Sequence, residues 1–70
     1  MAETNIDKVV EFDLDGLVLR RRLVWNTQDM TRDLNPDSAV GKALLTARPG
    51  NTVTVAAPGG SVTVRLLGVQ

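Results

Sequence analysis

The stretch DSAVGKALL at residues 37–45 predicts a helix, whereas apolar residues elsewhere in this 70-residue chain recur with the spacing of strands. Either Asp37 or Ser38 can act as the N-cap, because both side chains accept hydrogen bonds from the unpaired amides of a first helical turn. The apolar residues that follow fall at positions i, i+3, i+4 and i+7 of one face: Val40, Ala43, Leu44 and Ala47. Residues 48–50, Arg-Pro-Gly, then stop the helix. We expect its apolar face to cover one face of a sheet.

A glycine, Gly41, lies inside this predicted helix. Glycine there costs up to ~1 kcal/mol relative to alanine. Its presence suggests either close packing against another part of the chain or the approach of a partner, and the sequence leaves both interpretations open.

The residues before the helix have the pattern of a β-hairpin. Apolar residues at 10, 12 and 14 alternate with acidic ones, and an Asp-Gly pair follows at residues 15–16. That pair predicts a type I′ turn, because both of its positions need positive φ. The second strand runs from Leu17 to about Trp25. Arg21 falls in its apolar phase, so either a bulge shifts the register there or that end of the strand leaves the core.

The remaining segments complete a small sheet. Residues 26–36 are polar and predict a loop, with a short strand around Met30 as a possible addition. After the helix, residues 51–56 alternate threonine with valine, residues 58–60 (Pro-Gly-Gly) predict a turn, and residues 61–69 predict the last strand. The apolar phase changes near the end of that strand, which suggests a bulge or an end that is buried on both sides.

These elements predict one α+β domain. We expect residues 1–6 to form a flexible start and residues 7–70 to form a small antiparallel sheet of four or five strands, with one helix packed across it.

Composition excludes several classes of function. The chain has no histidine and no cysteine, which removes the usual general base, the thiol nucleophile and most zinc sites. Eight basic and eight acidic residues balance, and every acidic residue lies at or before Asp37. Without a basic field we expect no direct contact with nucleic acid. No apolar run is long enough to cross a membrane and no signal peptide is evident, so we expect a cytoplasmic protein without a membrane anchor.

Two charge clusters and the two aromatic residues have a structural explanation as well as a functional one. Carboxylates at residues 11, 13 and 15 could in principle bind a hard cation, but alternation on a solvated strand explains them better. Residues 20–22 are three arginines, which alternation divides between two faces. A solvated strand edge is favoured for them over binding of phosphates or of an acidic partner. We expect Phe12 and Trp25 to lie in the core, since stacking on RNA usually needs several aromatic residues on one surface.

Three motifs resemble the C-terminal domain of the bacterial Gre transcript-cleavage factors. They are DSAVGKALL at residues 37–45, PGNTVTV at 49–55 and APGGSVTV at 57–64. The family pattern has Asp-Ser-Pro, a basic residue and Ala-Leu-Leu in the helix, and a Thr-Pro-Gly-Gly turn into the final strand. The resemblance covers residues 37–70 well, and covers residues 8–25 only as a strand pair of the expected kind.

The resemblance implies an FKBP-like α+β fold and bacterial RNA polymerase as the partner, with docking near the polymerase secondary channel. In Gre factors a separate N-terminal coiled coil carries the acidic residues that help to hold a catalytic magnesium. The few residues before the first strand are too short for such a coiled coil. We therefore expect a non-enzymatic binding module without a cofactor, which modulates transcription or competes with Gre-type factors. Prolyl isomerase activity is not expected, because the pocket of FKBP enzymes is lined with aromatic residues.

The docking contacts of the family lie around the loop into the helix, which gives four candidate partner-binding residues: Asp37, Ser38, Ala39 and Lys42. Ala39 stands where the family usually has proline, a departure that bears on the strength of docking. Helix capping is the structural alternative for Asp37 and Ser38, and solvated surface is the alternative for Lys42. The alternative for the whole chain is a structural or oligomerisation domain, or a fragment of a longer protein with no polymerase contact. Either a monomer or a weak homo-oligomer fits the sequence.

Overall fold

A computed structural model describes residues 4–29 and 31–70 of the chain. These residues form one sheet with the strand order β3-β2-β1-β5-β4 and one helix. Adjacent strands pair antiparallel except β2 and β3, which are parallel. The elements in chain order are β1 (Val9–Leu14), β2 (Leu17–Leu23), β3 (Asp33–Leu34), α1 (Ala39–Leu45), β4 (Thr52–Ala57) and β5 (Gly60–Val69). The predicted α+β fold is confirmed, with one parallel strand pair added to the expected antiparallel sheet.

The turn between β1 and β2 has the predicted geometry. Asp15 and Gly16 have φ values of 53° and 99°, so both adopt the positive φ that a type I′ turn requires. The amide of Gly16 also donates to Asp13 Oδ1 at 2.7 Å.

Strand β2 is shorter than predicted and differs at Arg21. It ends at Leu23 rather than near Trp25. Arg21 pairs with Val10 in an unbroken register, and Leu23 beyond it is fully buried, so neither a bulge nor a departure from the core occurs. Arginine tolerates this position because its aliphatic stem can lie along apolar surface while its guanidinium reaches a polar group. Here Nη1 of Arg21 donates to the Arg20 carbonyl oxygen at 2.7 Å.

The predicted loop 26–36 contains the short strand β3. Met30, around which the sequence suggested a strand, lies outside the described residues. Strand β3 instead pairs with the end of β2, at Arg22 and Leu23. Asp33 fixes the approach to β3, because its Oδ2 accepts hydrogen bonds from the amides of Gln28 and Asp29 at 3.2 and 3.4 Å.

The C-terminal hairpin and its predicted bulge are both present. Strand β4 pairs with β5 in a continuous register that closes at Ala57 and Gly60. Against β1, the register of β5 shifts where Gly68 lies opposite Glu11 and Leu66 lies opposite Phe12. The intervening residue, Leu67, is the extra residue of a β-bulge, which accounts for the change of apolar phase in the sequence.

The core lies between the sheet and α1. Its seven buried apolar residues are Val10, Phe12, Leu23, Leu44, Val55, Val64 and Leu66. Leu44 is the buried residue of the predicted helical face, and Val40, Ala43 and Ala47 pack partly buried against the core. Phe12 is buried as predicted, but the prediction for Trp25 was wrong: this residue is 61% exposed, because β2 ends before it.

The described part of the N-terminal segment is hydrogen-bonded to the end of α1. Asn5 donates through its side-chain amide to the carbonyl oxygens of Leu44 and Ala47 at 2.7 and 2.9 Å. Its backbone amide donates to the Leu45 carbonyl oxygen at 2.7 Å. The bond to Leu45 partners a carbonyl group that the end of the helix leaves unpaired. Residues 1–3 of the predicted flexible start lie outside the described residues.

Candidate functional site

The start of α1 is built by hydrogen bonds between neighbouring residues. Ser38 is the N-cap: its backbone is extended, with φ −71° and ψ 160°, and its Oγ accepts from the Gly41 amide at 3.1 Å. The same hydroxyl donates to the Asn35 carbonyl oxygen at 2.6 Å. The side-chain oxygen of Asn35 accepts from the Asp37 amide at 2.7 Å. Of the two predicted caps, the structure therefore uses Ser38, and its hydroxyl has a structural role.

Close packing explains Gly41. An added Cβ would collide with the Asn35 carbonyl oxygen and would lie 2.8 Å from both the Asn35 carbonyl carbon and Ser38 Oγ. Gly41 is buried, so this packing lies inside the domain. Of the two interpretations that the sequence left open, internal packing is the one that the structure supports.

The other three candidate residues are exposed beside this turn. Lys42 Nζ lies 3.8 Å from Asp37 Oδ1, and the two side chains are 67% and 75% exposed. Ala39, the first residue of α1, is exposed as well. An exposed ion pair of this kind contributes at most ~1 kcal/mol, so a partner can exchange it for its own contacts at little cost. The four candidates thus lie together, with Ser38 committed to the turn and the others facing solvent.

An apolar cavity lies next to the helix start, and the sequence did not predict it. It has a volume of about 240 Å³ and lies between β1, β2, β3 and the first turn of α1. Its apolar lining consists of Phe12, Leu14, Leu19, Leu34 and Val40, and its rim includes Asn35 and Ser38. The sequence contained part of the evidence for this cavity, because Leu14 and Leu19 fall in the apolar phase of their strands. It did not show that α1 is too short to cover every apolar residue of that sheet face.

The carboxylates and arginines that were the other candidates of the sequence do not come together in one site. Glu11 pairs with Arg20 at 3.9 Å, and Asp13 accepts the amide of the turn. Within residues 4–29 and 31–70, no three carboxylates come together as a metal site. The three consecutive arginines are divided between two faces of the sheet, as predicted. Arg20 and Arg22 lie opposite Glu11 and Val9, whereas Arg21 lies opposite the buried Val10.

One carboxyl group is electrostatically perturbed, in the segment before β3. The hydroxyl of Thr31 donates to Asp29 Oδ1 at 2.6 Å, and this bond is the largest cause of an Asp29 pKa below its ordinary value. The Thr31 amide, at 2.9 Å, and Arg32, whose Nε lies 3.3 Å from Asp29 Oδ2, lower this pKa further. Each of them favours the ionised carboxylate.

Comparison with solved structures gives the fold a context. The crystal structure of GreA factor homolog 1 (Gfh1) from Thermus thermophilus matches with a TM-score of 0.69 and 25% identity, over 93% of this chain. A second structure of the transcription factor Gfh1 matches with a TM-score of 0.71 and 28% identity over the same share. The chain resembles the C-terminal domain of Gre-type factors. The prokaryotic transcription elongation factor GreA/GreB from Nitrosomonas europaea shares the fold over the whole chain, with a TM-score of 0.72 and 21% identity.

The Gre-type resemblance concerns one part of those proteins. This chain covers 46% of each Gfh1 chain and 63% of the Nitrosomonas chain. No protein-family profile matches the sequence, and no curated protein matches it significantly. Within the part of the chain that the structure describes, no helix has the length and apolar character needed to cross a membrane.

Proposed function

We propose that the chain is a non-enzymatic, cytoplasmic binding module that docks on bacterial RNA polymerase near its secondary channel. There it modulates transcription or competes with Gre-type factors. The observation that carries this proposal is the exposed Asp37–Lys42 pair beside an open apolar cavity, on a fold similar to that of transcription factors. An exposed charged pair next to an apolar cavity suits a protein partner, because an apolar anchor supplies most of the binding energy and a polar rim orients it.

The cavity and the helix start have separate parts in this proposal. A cavity of about 240 Å³ has room for one large apolar side chain, which it would remove from water. Asp37 and Lys42 lie on the solvent side of the helix start, where they can exchange their mutual contact for hydrogen bonds to the partner. Ser38 acts indirectly, since its hydroxyl fixes the turn that presents both.

Binding to purified core RNA polymerase tests this surface. We expect Asp37→Lys to weaken binding at least about tenfold, because it places two cations side by side where the partner meets an acid. Glu11→Lys is the matched control: it makes the same charge change in an ion pair of similar length, on the opposite face of the sheet. Equal binding by wild type and Asp37→Lys would contradict the site assignment, and so would equal losses in the two variants.

The free edge of β4 supports a second candidate, a self-pairing domain. Among the described residues, β4 pairs only with β5, and its sequence TVTVAA has no charge or proline to discourage pairing by another strand. Two copies could join antiparallel along this edge about a two-fold axis. Light scattering over a range of concentrations tests it: a mass that rises to that of a dimer supports self-pairing, and a strict monomer contradicts it.

A further inference from the structure

A second surface, separate from the helix start, lies at the end of β2. It is a groove of about 800 Å³ between the outer face of the sheet, which α1 does not cover, and the segment that leads to β3. Its lining includes Val9, Arg20, Arg22, Trp25 and Arg32. We call it the Trp25 groove. None of the four candidate docking residues lines it, although Arg21 and Asp33 line both this groove and the apolar cavity beside α1.

Trp25 is exposed in the groove although its backbone is fixed. The residue is 61% exposed, the largest fraction among the exposed large hydrophobic residues of the described chain. Its carbonyl oxygen accepts from Asn35 Nδ2 at 3.3 Å, and the preceding Val24 amide donates to the Leu34 carbonyl oxygen at 3.2 Å. A tryptophan whose backbone is already held needs no further ordering of the main chain when a ligand covers it, and tryptophan is enriched among the residues that dominate binding energy.

The charges around Trp25 favour an anionic ligand. Four arginines line the groove, at residues 20–22 and 32, and two of them, Arg20 and Arg32, pair with Glu11 and Asp29. The groove also contains the aspartates at 7 and 33. One of these aspartates, Asp33, already accepts two backbone amides. Arg22 makes no ion pair with any residue that the structure describes. Arginine binds carboxylates and phosphates through paired N–H groups, so an uncommitted guanidinium beside an exposed tryptophan is a suitable anchor for an anion.

We propose that the Trp25 groove binds an acidic protein segment in an extended conformation. Arg20 and Arg22 lie on one face of β2, two residues apart, which is a separation of roughly 6.6 Å along a strand. Carboxylates at alternate positions of an extended segment have the same repeat and face the same side, and the side chain two positions further on, which faces that side as well, can cover Trp25. A continuous phosphate chain suits the groove less well, because two aspartates lie in it and only one aromatic side chain is available for stacking.

The peptide Glu-Val-Glu-Pro-Glu-Val-Glu is a suitable probe, with glutamine in place of each glutamate in the control peptide. Trp25 is the only tryptophan of the chain, so its emission reports on this groove directly. We expect the acidic peptide to shift that emission in a saturable, salt-sensitive manner and the glutamine peptide to leave it unchanged. No response to the acidic peptide at millimolar concentration, or an equal response to the two peptides, would overturn the proposal.

Variants then locate the site by calorimetry at low ionic strength. We expect Arg22→Gln and Trp25→Ala each to weaken binding of the acidic peptide about tenfold. Arg48→Gln is the matched control, since it removes the same charge from an exposed arginine outside the groove. Asp37→Lys should bind the peptide as wild type does, which separates this result from the polymerase test. An equal loss in Arg22→Gln and Arg48→Gln, or tighter binding of a uridylate dodecamer than of the peptide, would contradict an acidic protein ligand.

Discussion

The turn into α1, residues 35–41, and the described part of the segment between β2 and β3, residues 24–29 and 31–32, are both mainly polar, but they are stabilised differently. In the first, Asn35, Ser38 and Gly41 bond to one another, and the glycine packs against the Asn35 backbone. In the described part of the second, hydrogen bonds gather around Asp29 at the surface, and Trp25 stays exposed. A turn that is closed by its own hydrogen bonds is predictable from the sequence and tolerates few substitutions, whereas an open segment leaves side chains available for ligands.

The most damaging change to the first region should be Gly41→Ala. The added methyl group collides with the carbonyl of Asn35, which is backbone and cannot turn aside, so the helix start must shift. We expect a loss of about 3 kcal/mol in the free energy of unfolding, at the upper end of what overpacking costs. Chemical denaturation measures this loss. Unchanged stability would mean that the turn is more adaptable than its contacts indicate.

Removing the N-cap should have a smaller effect. Ser38→Ala loses the bond to the Gly41 amide and the bond to the Asn35 carbonyl oxygen, and we expect a cost of about 1 kcal/mol. The denaturant midpoint should fall with little change in slope. Asp37→Ala is the control, since this side chain makes only an exposed ion pair, and its midpoint should stay close to wild type. A larger loss of stability in Asp37→Ala than in Ser38→Ala would indicate that Asp37, and not Ser38, caps the helix.

A substitution toward the Gre-type pattern should stabilise the same turn. Ala39 is the first residue of α1, where proline is favourable, and the extended backbone of Ser38 suits a residue before proline. We expect Ala39→Pro to raise the free energy of unfolding by about 0.5 kcal/mol, through a restricted unfolded chain. It should also tighten binding to RNA polymerase. Lower stability in Ala39→Pro would show that the turn differs from its relatives in backbone geometry as well as in sequence.

In the second region, the substitution Thr31→Val should change the pKa of Asp29 more than it changes the free energy of unfolding. Thr31→Val removes the hydroxyl bond but keeps the backbone amide, so we expect the Asp29 pKa to rise toward its ordinary value. A depressed pKa stabilises the folded state above the ordinary pKa, and this contribution is lost as the pH falls through the lowered value. Wild type should therefore exceed the variant in stability at neutral pH, and the difference should vanish in acid. NMR titration of the Asp29 carboxyl follows the shift; an unchanged pKa would mean that Arg32 and the backbone dominate.

The same contrast explains what the sequence could and could not predict. The Asp15-Gly16 turn, the Ser38 cap and the bulge near Leu67 follow from neighbouring residues. The turn was predicted outright, whereas the cap and the bulge were each one of two predicted alternatives. Trp25 was placed in the core because its strand was taken to continue, but β2 ends where β3 pairs with it. The parallel β3, the cavity beside α1 and the Trp25 groove depend on segments that are distant in the sequence. Local periodicity carries no information about such contacts.

Competition for core RNA polymerase is the decisive test of the proposed docking. Labelled chain is bound to the polymerase and full-length GreA or GreB is added as competitor. We expect saturable binding that the Gre factor displaces completely, and weaker binding of Asp37→Lys but not of Glu11→Lys. Absence of binding, or binding that excess Gre factor leaves intact, would show that the Gre-type fold serves another partner in this protein.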